Sequence, residues 1–192
     1  MKAFWPRCIS DPPRPIGSLI IAVTLIMLYA PRLYADPAPI VPAHNRADQK
    51  TAPARPPEGD LIQKIHKLWD AVVRDDPKLA DEAFFPRPAF LLVKAIADPG
   101  RYYDQLRKRF DKDIRDLHRH TPDLDRAVFD RFELARRGGF VKVNQEANRL
   151  PYWASRHSFI HYRVDQAARS IEVRVLITWD DRWYVIHLNE FH

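Results

Sequence analysis

The sequence predicts an α+β domain in which N-terminal helices pack on one face of a curved antiparallel sheet of about five strands. Two observations carry this. From residue 60 to about 118, apolar side chains recur at spacings of three and four, the period of an amphipathic helix. After Pro122 the period drops to two, and short polar connections separate the alternating runs, as in a meander of hairpins. Apolar residues make up 46% of the 192 and charged residues 29%, enough for a real core and too much for wholesale disorder.

The chain begins with an address rather than with a domain. Residues 16–30 carry no charge, Lys2, Arg7 and Arg14 precede them, and Leu33-Tyr34-Ala35 follows. A basic head, an apolar middle and a small-residue exit describe a secretory signal peptide over residues 1–35. The run is shorter than the roughly 20 residues that span a bilayer. Pro31 disfavours cleavage after Ala30, so cleavage is expected after Ala35. The long, proline-rich head leaves an uncleaved membrane anchor as the alternative. Either way the remainder is expected to be secreted or periplasmic. Residues 36–58, rich in Pro and Ala and without an aromatic side chain, read as an extended linker. Residues 59–192 then form a single domain.

The elements of that domain follow in order. Asp60 with Gln63 three residues on suggests a capping box, and Leu61, Ile65, Leu68, Trp69 and Val72 give one apolar helix face. Asp76-Pro77 opens a second helix with Leu79, Ala80, Ala83 and Phe84 on its face, and Pro86 stops it. Residues 90–96 are a short apolar run that periodicity leaves open between helix and strand. Asp98-Pro99 repeats the cap-and-proline start, and Tyr103, Leu106, Phe110, Ile114 and Leu117 define a long amphipathic helix. Its outer face alternates charge at i,i+4 and reads as a solvated surface. Strands are expected over 127–136, 140–144, 156–164, 170–179 and 183–191, with Gly138-Gly139 as a hairpin turn. Ile171, Val173, Val175, Ile177 and Trp179 alternate strictly and should face the core.

Charge and cysteine content exclude several chemistries. The net charge is +6, and half of it lies in the first 35 residues. The densest basic run, Arg107-Lys108-Arg109, is followed at once by Asp111, Asp113 and Asp116, so no nucleic-acid partner is expected. Cys8 is the single cysteine and lies in the signal segment, so a mature chain would lack disulfides, thiolate metal sites and a thiol nucleophile.

Two stretches resemble a known superfamily. Leu68-Trp69-Asp70 leading to Asp75-Asp76-Pro77 with Leu79 and Ala80, then Phe84-Phe85, looks like its first-helix ending, acidic turn and second helix. Trp179-Asp180-Asp181-Arg182-Trp183-Tyr184-Val185-Ile186-His187 is similar to its closing hairpin, with Trp-x-aliphatic-x-His after the turn. The chain from Asp60 to His192 thereby resembles the nuclear-transport-factor-2-like superfamily, which includes polyketide-cyclase-like and ketosteroid-isomerase-like domains. The long charged helix and residues 147–155 depart from that pattern. The resemblance implies a cystatin-like cone or roll with a pocket between the helices and the curved sheet. It implies no single activity, because the fold hosts enzymes, binding modules and dimerisation modules.

Candidate site residues fall into two groups. If Trp179 pairs with Trp183, Val175 faces His187 and Val173 faces Asn189. If Arg163 also faces Ile171, then His157, His161, Trp183, His187 and Asn189 share the inner face and form a polar pocket. A one-residue slip in either hairpin turns its histidines outward. No metal is expected, because His157 and His161 would stand about 13 Å apart along a strand. His118 and His120 point apart on a helix. His187 is the candidate general base, with Glu172 and Glu190 expected in solvent. No serine elbow, phosphate loop or paired carboxylate stands beside it. The second group is Arg149, Tyr152, Trp153 and Arg156. Aromatics flanked by arginines suit contact with a partner or a sugar ring, or else plug one end of the core. The sequence therefore points to a binding or accessory module without catalysis or cofactor, for a small ligand or a protein partner. A small pocket enzyme of isomerase or hydrolase type using His187 is the alternative. A homodimer through the outer sheet face is the third arrangement.

Overall fold

The computed structural model describes residues 40–49 and 51–189. The expected signal segment with Cys8, and Glu190 at the other end, lie outside the described residues. Three α-helices pack on an antiparallel sheet of five strands. Helix α1 is Leu61–Arg74, α2 is Arg87–Val93 and α3 is Pro99–His120. The strands are β1 (Ala127–Glu133), β2 (Gly138–Val141), β3 (Tyr152–Val164), β4 (Ala167–Trp179) and β5 (Arg182–His187). The order is β1-β3-β4-β5, with β2 pairing the first residues of β3 while β1 pairs its later half. This is the predicted α+β class.

The helices start where the chain supplies caps. The Asp98 carboxylate accepts from Arg101 N at 2.9 Å, and Pro99 holds the first turn of α3. The Asp76 carboxylate accepts from Lys78 N at 3.1 Å, but the residues that follow, Pro77–Ala83, wind as a 3-10 helix rather than an α-helix. The expected capping box at Asp60 does not form. Its carboxylate instead pairs with Lys64 Nζ at 3.1 Å, one turn on. The undecided run at 90–96 contributes its first residues to α2, which begins after Pro86. The helix faces are those the periodicity requires: Ile65, Leu68 and Val72 of α1, and Leu106, Phe110 and Ile114 of α3, are buried in the core.

Both hairpin registers differ from the expected ones, for reasons of turn chemistry. The β3–β4 turn is only two residues long, so Val164 pairs with Ala167 and Arg163 with Ala168 rather than with Ile171. The difference is odd, and a strand has period two, so His157 and His161 face away from the helices. At the β4–β5 turn Asp180 and Asp181 both adopt positive φ, 51° and 58°. That is the two-residue geometry that short polar side chains tolerate. Trp179 therefore pairs with Arg182 and Thr178 with Trp183, which sends Trp183 to the outer face. A bulge in β5, opposite the Val175–Leu176 step, then inserts one residue and restores the Val175–His187 pairing.

Residues 40–49 and 51–58 do not hang free as a spacer. Asn45 is buried, donates from Nδ2 to Pro151 O at 2.8 Å and accepts from Asp180 N at 3.1 Å. His44 pairs with the Asp181 carboxylate. Trp183, fully buried, donates from Nε1 to Pro56 O at 3.2 Å, and the Arg55 guanidinium lies 5.1 Å from its ring centre. Arg55 also donates to Ala135 O at 2.7 Å. The compact unit therefore takes in this segment as well as residues 59–189. Proline-rich composition does not prevent a chain from strapping an apolar face.

Candidate functional site

A cavity of about 240 Å³ opens between α2, α3 and the sheet. Its lining includes the apolar Phe90, Leu106, Val175, Ile177 and Ile186. Among them stand Lys94, Glu146, Tyr152, Arg156 and His187. Each polar group has a structural reason to be there. Lys94 follows the last turn of α2, where its N–H bonds to Phe90 O. Tyr152 and Arg156 are even-numbered residues of β3, on the side that bears Ala154, Ser158 and Ile160. Arg156 pairs with Val175, which in turn pairs with His187. The β5 bulge is thus what brings His187 to Arg156.

Glu146 enters from the connection between β2 and β3. That connection is tied to α2 by Ala95 N to Ala147 O at 2.8 Å and Arg149 N to Val93 O at 2.7 Å. Asn144, Glu146 and Ala147 have φ of 65°, 50° and 53°. Two of these are neither glycine nor asparagine, and a left-handed backbone at such residues costs on the order of 1–3 kcal/mol each. The turn delivers one carboxylate to the cavity. Tyr152 Oη donates to Glu146 Oε2 at 2.9 Å, and Arg156 Nη2 donates to Glu146 Oε1 at 2.5 Å. Lys94 Nζ donates to Asn148 Oδ1 at 2.8 Å, to Glu146 O at 3.2 Å and to Tyr152 Oη at 3.4 Å. Asn148 is fully buried, and its Nδ2 has no hydrogen-bond acceptor among the described residues.

Burial and charge act on these groups in opposite ways. Desolvation lowers the Lys94 ammonium below the usual lysine range, partly offset by the Glu146 carboxylate. Desolvation also raises the Tyr152 phenol, so it stays a neutral donor. The His187 imidazole is pushed down to about 4, by burial first and then by Arg109, Lys94, Arg156 and Arg174. It is neutral at pH 7. Lys94 and Arg156 against Glu146 leave the cavity wall with a net positive charge.

The two expected groups of site residues thus break up and recombine. His187 reaches the cavity, and Tyr152 and Arg156 join it from the second group. His157 instead bonds from Nδ1 to Glu172 Oε1 at 2.5 Å on the outer face, with its own φ at 61°. Glu172, expected in solvent, is its partner. His161 Nε2 stands 3.1 Å from Glu133 Oε2, also on the outer face. Trp183 is on the outer face beneath Pro56, and Asn189 is exposed beyond the end of β5. Arg149 caps α2, donating to Lys94 O at 2.7 Å and to Leu91 O at 3.2 Å. Trp153 is half-buried against Phe140, its ring centre 5.7 Å away. Tyr152 and Trp153 therefore form no exposed aromatic patch. Lys94 and Glu146 were not singled out from the sequence. Lys94 left one signal, a lone charge inside the apolar run 90–96. Glu146 left none.

Among the described residues no group of three or more His, Cys, Asp or Glu is placed to hold a metal ion. No described helix is long and apolar enough to cross a membrane. What fold and cavity define is an α+β domain with a small amphipathic pocket at the helix–sheet junction. Comparison with known protein families, curated proteins and solved structures returns no match.

Proposed function

We propose that this chain is an extracytoplasmic binding module of the nuclear-transport-factor-2-like kind, which holds a small ligand between α2, α3 and the sheet. The observation that carries the reading is the mixed lining of the cavity, apolar side chains interspersed with a few convergent polar ones, the usual make-up of a ligand pocket. The alternative, a pocket enzyme with His187 as general base, is less well supported. An efficient base has a pKa near the working pH, whereas that of His187 lies at about 4. A homodimer through the outer sheet face is also disfavoured, since Arg55 and Pro56 already cover Trp183 there.

The test is occupancy of the cavity. Small alcohols and aromatic fragments titrated into the full chain should shift the NMR resonances of Leu106, Ile177 and His187 together. Leu106→Trp, which fills the space, should abolish the shifts while the protein still melts cooperatively. Shifts that survive Leu106→Trp, or that map to the outer face, overturn the reading. Export is tested separately: the chain recovered outside the cytoplasm should begin at Asp36, or remain full-length if the segment anchors it.

A further inference from the structure

Glu146 occupies its own protein's binding wall in the way a ligand would. One carboxylate oxygen takes the Tyr152 hydroxyl at 2.9 Å and the other takes the Arg156 guanidinium at 2.5 Å. Such two-point, charge-assisted grips are how proteins recognise free carboxylates. Yet the Glu146 side chain is 42% exposed, and it reaches the wall from a turn with left-handed backbone at Asn144, Glu146 and Ala147. The donors differ in their backbone: both stand in β3, Tyr152 buried and Arg156 with a side chain 37% exposed. The receptor is held by the sheet, and its present occupant is tethered to the exposed turn.

Resting on the pocket reading above, we propose that the ligand is a compact carboxylate with an apolar body, whose carboxylate takes the place of Glu146 between Tyr152 and Arg156. The apolar side chains of Phe90, Leu106, Val175 and Ile177, which line the same cavity, would receive the body. A cavity of about 240 Å³ restricts it to a short alkyl chain or a single ring. Lys94 adds a second cation beside the head group. Displaced, the Glu146 carboxylate turns to solvent, so its hydration offsets part of the cost of releasing it. Glu146 thereby acts as a built-in competitor that keeps the Tyr152 and Arg156 donors satisfied while the pocket is empty. Once Glu146 has left, the two cations repel an amine, and an alcohol makes no charge-assisted pair with them. The anionic head is therefore what the site selects.

Three probes of equal length separate the possibilities by calorimetry on the full chain: hexanoate, hexanol and hexylamine. Hexanoate should bind at least about tenfold tighter than either of the others. Glu146→Gln removes the competing charge and should tighten hexanoate by about tenfold while leaving hexanol unchanged. Arg156→Gln, checked for an unaltered melting transition, should erase the preference for hexanoate. Equal binding of hexanoate and hexanol overturns the carboxylate assignment and leaves the pocket reading standing. Preferred binding of hexylamine does the same, and makes Glu146 a receptor for cations. Hexanoate binding that is unchanged or weakened in Glu146→Gln overturns the displacement. If none of the three binds either protein, the pocket reading itself fails.

Discussion

Lowering the pH should weaken this domain through one side chain, His187. In the folded chain its imidazole sits against Val175 within the cavity, faced by the cations Lys94, Arg109, Arg156 and Arg174, with Glu146 the carboxylate on the same wall. Its pKa falls from the ordinary 6.5 to about 4. The folded form therefore resists a proton that the unfolded form accepts. The contribution to stability is complete above pH 6.5 and is lost as the pH falls from there toward 4. Between about pH 8 and about pH 5 the loss amounts to roughly 2 kcal/mol, since each unit of pKa difference is worth about 1.4 kcal/mol. For a domain of this size that is a fall in Tm of about 4–8 °C. The carboxylates titrate in the same range, so the assay is a comparison. His187→Phe keeps the bulk and removes the proton, and its stability should fall by about 2 kcal/mol less over the same interval. A proton NMR titration of the imidazole should find no midpoint near 6.5. Equal pH dependence in the two proteins, or a His187 midpoint at its ordinary value, would show that the imidazole is solvated and that the β5 bulge does not turn it inward.

Trp183→Ala should cost about 3–5 kcal/mol in denaturant unfolding, because the indole is fully buried and hydrogen-bonded to Pro56. Trp179→Ala, at a half-buried position, should cost only about 1–2 kcal/mol, although Trp179 ends the strictly alternating row. A reversed order would mean that the β4–β5 turn has three residues rather than two. Asn45→Ala should lose about 1–3 kcal/mol by leaving Asp180 N–H and Pro151 C=O unpaired, measured by thermal unfolding. A loss near zero would make residues 40–58 the free linker that their composition suggests. Gly138→Ala should cost at least about 2 kcal/mol and disturb β2 amide shifts. A Cβ there would stand 2.3 Å from Ala154 O, at a φ of +126°.

The amino-acid sequence determined the fold class and the places of α1, α3, β4 and β5, because these rest on local periodicity; it left residues 90–96 open and read Gly138-Gly139 as a turn where β2 begins. Ile65, Leu68 and Val72, or Phe110 and Ile114, are buried wherever a helix of that period meets a sheet. Ile171, Val173 and Val175 are inward because alternation leaves no other solution. Pro99 and Asp98 mark a helix start regardless of what lies beyond it. The site was legible only in pieces: His187, Tyr152 and Arg156 stood out, but in separate groups with the wrong companions. Their meeting depends on register, and register was settled by two-residue turns at Asp165-Gln166 and Asp180-Asp181 and by the bulge in β5. A shift of one residue reverses a strand's faces, so His157, His161 and Trp183 were lost to the outer side while His187 was returned to the inner one. Whether an extra residue is accommodated as a bulge depends on the packing it meets from other elements, which no local pattern encodes. The same holds for Asn45 and Pro56, which dock on groups that lie more than a hundred residues further along the chain. It holds too for Glu146, whose carboxylate reaches Tyr152 and Arg156 only once α2 has fixed the turn that carries it.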